Sequence, residues 1–199
     1  MITSAQPLGI IRFAGDDAQS FLQGQSTPDI RKLTRDACVL GAFCSPQGRI
    51  IANGWLHRYG DGFQLIMARE GVKPLTDRLQ RYVMRSKVTI SDASDSITLW
   101  LLADPLTTAE ASWLQGIQSS DHNAWSLPLC TGLTLIASNA PIDESMQPLA
   151  GNAFTLALIK AGIPLISAET TDSFIPQMIG LDLWGGLSFD KGCYTGQEL

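Results

Sequence analysis

The last nine residues, Lys191 to Leu199, contain the densest set of chemically capable groups in the sequence. A thiol, an ammonium, an amide, a carboxylate and two glycines follow one another in the run Lys-Gly-Cys-Tyr-Thr-Gly-Gln-Glu-Leu. Cys193 lies two residues from a positive charge, which would favour its thiolate, and the glycines allow sharp bends or close approach of another group. From spacing alone, Cys193 is a nucleophile, a redox thiol, a ligand contact or a small packed residue.

The other cysteines and the two histidines lack the spacing of a metal site. Cys38, Cys44 and Cys130 form no CxxC pair, and His57 and His122 are isolated from them in the sequence. Zinc and iron-sulfur ligand patterns are therefore absent, and we expect no metal. The three cysteines are interpreted as small core residues, and both histidines as surface residues or hydrogen-bonded core residues.

A basic stripe interrupts an otherwise acidic chain. Arg78, Arg81 and Arg85 recur at i, i+3 and i+7 of a predicted helix, and Lys87 follows. The stripe is either a solvated helix face or an anion site, because guanidinium groups bind carboxylate or phosphate in a bidentate manner. A glutamate tail or an RNA backbone would suit such a site.

The stretch from Phe174 to Phe189 is apolar but interrupted by glycines, and it fits neither a helix nor a strand throughout. It is either a core linker or a wall of a cleft. In the second case, backbone groups that point into the cleft would bind a flat, hydrogen-bonding ligand.

Composition limits the possible functions. The chain has 199 residues, of which 45% are hydrophobic, and a net charge of −5. This charge argues against direct, sequence-independent nucleic-acid binding, and phosphate-binding glycine motifs are absent.

We expect a cytoplasmic protein without a membrane partner, because no apolar run reaches about 18 residues and the first residues lack a signal-peptide pattern. The abrupt ending at Glu198-Leu199 predicts a further domain beyond it.

Hydrophobic periodicity predicts an α+β protein made of two successive split-βαβ-like units, 1–92 and 97–199, which together could form one domain. Gly24 and Gly162 are predicted to end the first and last helices. The predicted strands are Leu8–Phe13, Cys38–Cys44, Arg49–His57, Phe63–Ala68, Lys87–Ser91, Ile97–Ala103, Trp125–Leu129 and Leu133–Ala137. The predicted helices are Asp17–Gln23, Val72–Val83, Thr107–Ile117 and Asn152–Ala161.

The octapeptide from Lys191 to Glu198 resembles the KGC[FY]xGQE signature of the YgfZ family of folate-binding proteins, which are relatives of the glycine-cleavage T-protein aminomethyltransferases. Other stretches resemble family segments in the same order along the chain. They are Phe13–Thr27, Ser45–Ile50, Arg81–Val88, Ala161–Pro164 and Phe174–Gln177.

This resemblance implies a T-protein-like fold with a tetrahydrofolate channel between α+β units, followed in the family by a C-terminal β-barrel that is absent here. It also implies a role in maintaining iron-sulfur enzymes, including enzymes that modify tRNA, so that such proteins are the expected partners. Cys193 is the expected functional thiol, and no catalytic base can be transferred to this chain. The expected folate contacts are Tyr82, Arg85, Lys191, Gly192, Tyr194, Gly196, Gln197 and Glu198.

One position departs from the family pattern. Lys160 stands before Ala161-Gly162, where related sequences often have a carboxylate suited to the pterin N–H groups. A lysine offers only donors and cannot replace that carboxylate. Three functions therefore follow: a folate-binding accessory protein, a folate-dependent aminomethyl or one-carbon transferase, and a non-catalytic interaction scaffold.

Overall fold

The computed structural model describes residues 2–34, 37–105, 110, 124–139 and 152–197, which form two units interleaved along the chain. One unit combines Met1–Gln6 with Asp95–Ile163, and the other combines Pro7–Ser94 with Pro164–Leu199. The division by contacts thus differs from the consecutive parts 1–92 and 97–199, because the chain from Pro164 onward packs on the sheet of the first half.

The described residues contain nine strands and three α-helices. The strands are β1 (Ile2–Ser4), β2 (Leu8–Ala14), β3 (Cys38–Cys44), β4 (Ile50–Tyr59), β5 (Gly62–Ala68), β6 (Thr89–Asp92), β7 (Leu99–Ala103), β8 (Trp125–Cys130) and β9 (Leu133–Ala137). The helices are α1 (Ala18–Gln25), α2 (Val72–Val83) and α3 (Ala153–Ala161). Short 3₁₀ turns occupy Ile30–Lys32, Arg69–Gly71, Ala168–Thr170 and Pro176–Ile179.

The larger unit is built on an antiparallel five-stranded sheet with the order β3-β4-β5-β2-β6. Side chains alternate between its two faces, and one face packs against α1 and α2. The apolar stripes of both helices join the same buried cluster as that sheet face. The cluster includes Ile11, Phe13, Phe21, Leu22, Phe43, Leu56, Phe63, Leu65, Leu75 and Leu79.

The opposite face carries a polar row that crosses four neighbouring strands. Cys38, His57, Gln64 and Arg12 are successive cross-strand partners. His57 Nε2 lies 3.1 Å from Gln64 Oε1, and both side chains are buried. Burial lowers the pKa of His57 to about 4, so the imidazole is neutral at neutral pH. His57 is therefore a hydrogen-bonded core residue, the second of the two alternatives that the sequence leaves open.

Buried Asn53 fixes the return of the chain to this sheet. Its amide nitrogen donates to the Pro164 carbonyl at 2.9 Å, and its amide oxygen accepts from the Ile166 backbone at 2.7 Å. One side chain on β4 thus satisfies two backbone groups that are more than a hundred residues away in sequence. Such pairing offsets the cost of burying irregular backbone.

Thr27 joins three segments at the outer edge of β3. Its backbone N–H donates to the Ala42 carbonyl, and its hydroxyl accepts from the Ala42 N–H, both at 2.9 Å. The same hydroxyl donates to the Gly186 carbonyl at 2.5 Å. A Cβ on Gly186 would stand 1.8 Å from the Leu40 carbonyl oxygen, so only glycine fits where this segment covers the strand.

The smaller unit contains an antiparallel sheet with the order β1-β7-β9-β8. Strands β8 and β9 form the predicted hairpin. Helix α3 buries Phe154, Ala157 and Leu158 and ends at Gly162, whose backbone is left-handed, as the sequence predicts. The predicted helix Thr107–Ile117 and His122 lie outside the described residues.

Two local predictions are wrong, and both errors have a physical cause. Helix α1 does not end at Gly24 but continues to Gln25, because the Ser26 backbone N–H and hydroxyl both donate to the Leu22 carbonyl. The strand predicted from Lys87 begins only at Thr89, because the Lys87 backbone exchanges hydrogen bonds with Asp17 at the start of α1. In both places a local capping contact prevails over the periodic pattern.

We predict that Thr27→Val lowers the free energy of unfolding of the larger unit by about 2 kcal/mol or more. Valine keeps the side-chain shape but leaves the Ala42 N–H and the Gly186 carbonyl without their buried partner. Urea unfolding followed by the fluorescence of buried Trp55 measures this difference.

Thr89→Val is the matched control, because Thr89 is exposed on β6 of the same unit. This variant should stay within about 0.5 kcal/mol of the wild type. Equal stability of the Thr27→Val and Thr89→Val variants would contradict the role assigned to the Thr27 hydroxyl.

Candidate functional site

Lys191 fixes the first end of the signature loop, which we define as residues 191–197. Its ammonium donates to the Ser26 carbonyl at 2.6 Å and to the Pro28 carbonyl at 2.9 Å, and only 5% of the residue is exposed. Burial lowers the pKa of Lys191 to about 8, while the charge of Asp29 acts in the opposite direction. The cation is thus directed into the protein, where it binds the backbone that follows α1.

Thr195 and Gly196 fix the second end of the loop. The Thr195 backbone N–H donates to the Gly24 carbonyl at 3.1 Å. Gly196 has a φ of +83°, and a Cβ there would lie 2.2 Å from the Ser45 carbonyl oxygen and 2.8 Å from Cys44 Cβ. Only glycine fits this conformation and this gap. The loop therefore closes against the turn between β3 and β4.

Cys193 lies between these two fixed ends with its residue exposed. Of the four cysteines, all within the described part of the chain, it alone is exposed, and none forms a disulfide. Burial raises the pKa of Cys38 to about 11 and that of Cys44 to about 12, so those thiols stay protonated at neutral pH. The most exposed thiol of the four thus lies on a loop that is held at both ends.

A shallow cleft with about 50 Å³ of internal space, open to solvent, adjoins the second end of the loop. Its lining residues are Gly48, Ile175, Pro176, Gln177, Leu187, Ser188, Phe189, Tyr194, Gly196 and Gln197. The Tyr194 ring lies 5.1 Å from the Lys191 ammonium, and the Gln197 side-chain oxygen accepts from the Tyr194 backbone N–H at 3.3 Å. The mixture of aromatic, apolar and amide groups suits a flat ligand with hydrogen-bonding edges.

A second, wider groove of about 400 Å³ shares Leu187, Ser188 and Phe189 with this cleft. Its other walls include Lys32 and Cys38. None of the signature-loop residues lines it. The cleft beside Tyr194 is therefore the better candidate for a site that uses the signature loop.

Tyr82 and Arg85 do not line either cleft. Tyr82 lies near the end of α2 and is 36% exposed, while Arg85 follows the helix and is exposed. Arg78 connects this region to the end of β3, because its guanidinium lies 3.4 Å from the Cys44 carbonyl and 5.6 Å from the centre of the Tyr82 ring.

Among the described residues singled out from the sequence, Gly192 and Lys160 do not line the cleft. Gly192 is exposed, and a Cβ there would meet nothing within 4 Å. Lys160 is exposed in the last turn of α3, and Glu198 lies outside the described residues. The sequence-based prediction missed Ser26 and Pro28, which act through their backbone carbonyls. Gln177 belongs to the stretch 174–189, which the sequence offers as a possible cleft wall and which contributes six of the residues that line the cleft.

Neither a cluster of metal ligands nor a membrane-spanning helix is found among the described residues. In the part of the chain that the structure describes, no three acidic, histidine or cysteine side chains come together as metal ligands. Within the same residues, the helices are too short or too polar to cross a bilayer.

Comparison with known proteins relates the chain to two groups. No family model matches it. The tRNA-modifying protein YgfZ of Escherichia coli strain SMS-3-5 is 32% identical over 201 residues, which cover 93% of this chain and 62% of that protein. The same protein from the O157:H7 strain EC4115 is 33% identical over the same share. The chain therefore spans about 62% of the length of these relatives.

The solved structure of glycine cleavage system aminomethyltransferase T from Bartonella henselae has a similar fold. Its TM-score is 0.57 at 15% identity, and the match covers 83% of this chain and 47% of that one. At this identity the likeness concerns the fold alone, and it confirms the predicted α+β fold of the T-protein type. The sequence match, which extends over 93% of this chain, confirms its resemblance to the YgfZ family.

Proposed function

We propose that this chain is a tetrahydrofolate-binding accessory module that supports tRNA modification by maintaining iron-sulfur enzymes, with Cys193 as its functional thiol. The name of its relatives, tRNA-modifying protein YgfZ, supports the tRNA part of this proposal. The aminomethyltransferase-like fold supports the folate part. The net charge of −5 favours an indirect role, through tRNA-modifying enzymes, over direct RNA binding.

The observation that carries the proposal is the exposure of Cys193 between two buried attachments. A residue that served only packing would not stand exposed on a loop held by Lys191 at one end and Gly196 at the other. Restraint of the backbone on both sides limits the positions that the thiol can take. A pre-positioned thiol loses less conformational entropy when it meets a ligand or a partner protein.

The residues of the cleft fit a folate. Pteridine rings are flat and carry donors and acceptors along their edges, and the cleft offers Tyr194 and Phe189 as aromatic surfaces with the amides of Gln177 and Gln197. We propose that Tyr194, Gly196 and Gln197 contact the bound folate, and that Lys191 acts by holding the loop. Gly192 and Glu198 complete the proposed contact set. A bound tetrahydrofolate would supply a carrier for one-carbon units.

The thiol and the iron-sulfur role require a second protein. A single cysteine cannot hold a cluster, which takes several ligands. We therefore propose that Cys193 meets its iron-sulfur client at the surface of the chain. Its exposure is compatible with such an encounter.

A second candidate function is transfer of an aminomethyl or one-carbon group to tetrahydrofolate. The observation that favours it is the fold shared with aminomethyltransferase T. Formation of methylenetetrahydrofolate from an aminomethyl donor would establish this activity. Folate binding without turnover would favour the accessory role, and absence of folate binding would leave the scaffold function.

We predict that Cys193→Ser abolishes support of tRNA modification but retains tetrahydrofolate binding. The reason is that the substitution removes the thiol and leaves the loop attachments unchanged. The measurement is tRNA modification and iron-sulfur enzyme activity in a strain that lacks the gene, complemented by each variant, together with calorimetry of the purified protein. Cys130→Ser is the control and should behave as wild type. Full complementation by Cys193→Ser would refute the role of the thiol.

We further predict that Cys193 reacts with a chromogenic disulfide reagent much faster than the other cysteines. Cys38 is half-buried and Cys44 is buried, and both thiols stay protonated because burial raises their pKa values to about 11 and about 12. At pH 8 the folded protein should show one fast-reacting thiol, and Cys193→Ser should remove that phase while Cys130→Ser keeps it. A fast phase that survives in the Cys193→Ser variant would contradict the assignment.

The two loop glycines give a matched pair of substitutions. Gly196→Ala should lower the free energy of unfolding by about 2 kcal/mol or more, because alanine is strained at positive φ and its Cβ would collide with the Ser45 carbonyl. Gly192→Ala should stay within about 0.5 kcal/mol of wild type, because its Cβ meets open space. Urea unfolding of both variants measures the difference. Equal effects would mean that the loop is not held at Gly196.

A further inference from the structure

The exposed side of α2 concentrates positive charge in an acidic protein. Residues 69–88 contain six basic and two acidic residues, a net charge of +4 in a chain whose total is −5. The apolar stripe of the helix, Val72, Leu75 and Leu79, is buried, so the basic side chains cannot turn inward. This local excess of charge creates a positive potential for anions.

Within this region, only part of the charge is compensated. Lys73 pairs with Asp77 at 2.7 Å, and Lys87 lies 3.5 Å from Asp16. In the described part of the chain, Arg78, Arg81 and Arg85 have no carboxylate partner. We call these three residues the arginine stripe. Guanidinium groups without a carboxylate are free to bind the carboxylates of a ligand in a bidentate manner.

The stripe begins at the rim of the cleft beside Tyr194. Arg78 donates to the Cys44 carbonyl, and Gly196 packs against Cys44 Cβ and the Ser45 carbonyl. Gly48, in the same turn, lines the cleft. Along the helix, Arg81 follows about 4.5 Å after Arg78, and Arg85 lies two residues beyond the last helical residue, Val83. A ligand with a flat end in the cleft would thus meet successive guanidinium groups outside it.

We propose that the arginine stripe binds the oligo-γ-glutamate tail of a folate whose pteridine end occupies the cleft. This inference rests on the proposed folate-binding function. Each γ-linked glutamate adds one carboxylate to the tail, which matches a row of separate guanidinium groups. Three arginines are few for a nucleic-acid surface, where affinity depends on many phosphate contacts. The tail therefore explains the stripe better than RNA does.

The test compares tetrahydrofolate monoglutamate with tetrahydrofolate triglutamate by calorimetry of the whole chain. Wild type should bind the triglutamate about fivefold more tightly, as expected for two exposed ion pairs, and high salt should reduce this preference. The double variant Arg81→Gln/Arg85→Gln should lose the preference and keep its affinity for the monoglutamate. Lys73→Gln removes one positive charge from the same helix outside the stripe and should retain the preference.

The outcomes separate this inference from the function on which it rests. Equal affinity of wild type for both folates would overturn the role of the stripe and leave folate binding intact. Failure of wild type to bind either folate would overturn the folate-binding proposal itself. Loss of the triglutamate preference in the Lys73→Gln variant would mean that the tail is attracted by charge in general. If Arg81 and Arg85 were instead needed to bind single-stranded RNA, and wild type showed no triglutamate preference, the stripe would be assigned to RNA. Either result would overturn the tail site.

Discussion

The open edge of β3 is the constraint on which the larger unit depends. An edge strand presents unpaired backbone groups, and burying them without partners costs free energy. Here Thr27 bonds Ala42 on one side and Gly186 on the other, and the Ser188 N–H donates to the Thr27 carbonyl. The last part of the chain therefore closes the sheet without adding a regular strand to it.

The same closure builds the candidate site. The chain that covers β3 continues directly into the signature loop, whose two ends bind the backbone after α1 and the turn after β3. The charge of Lys191 stabilises the backbone in this arrangement. Its ammonium donates to two carbonyl oxygens inside the protein, and Cys193, two residues further on, is exposed. The position of the thiol thus follows from the way the sheet is closed.

The sequence predicts the elements well and their long-range partners poorly. Periodicity locates β2, the β3-β4-β5 meander, α2 and the β8-β9 hairpin, because alternation and helical spacing are local properties. The octapeptide also identifies Cys193 as the residue of interest. By contrast, the acceptors of Lys191 are backbone carbonyls more than 160 residues away, and a carbonyl has no sequence signature. The interleaving of the units is invisible for the same reason, since it depends on contacts such as that of Asn53 with Pro164.

The interleaved order also has a consequence for synthesis on the ribosome. All five strands of the larger sheet have been made by Asp92, whereas Gly186 and Lys191, which cover its edge, follow only after the whole of the smaller unit. During this interval the nascent sheet has an uncovered β3 edge that is able to pair with other chains. The polar groups of the Ser26–Pro28 segment then remain in water until Gly186 and Lys191 emerge. Completion of the larger unit therefore waits until the smaller unit has been synthesised.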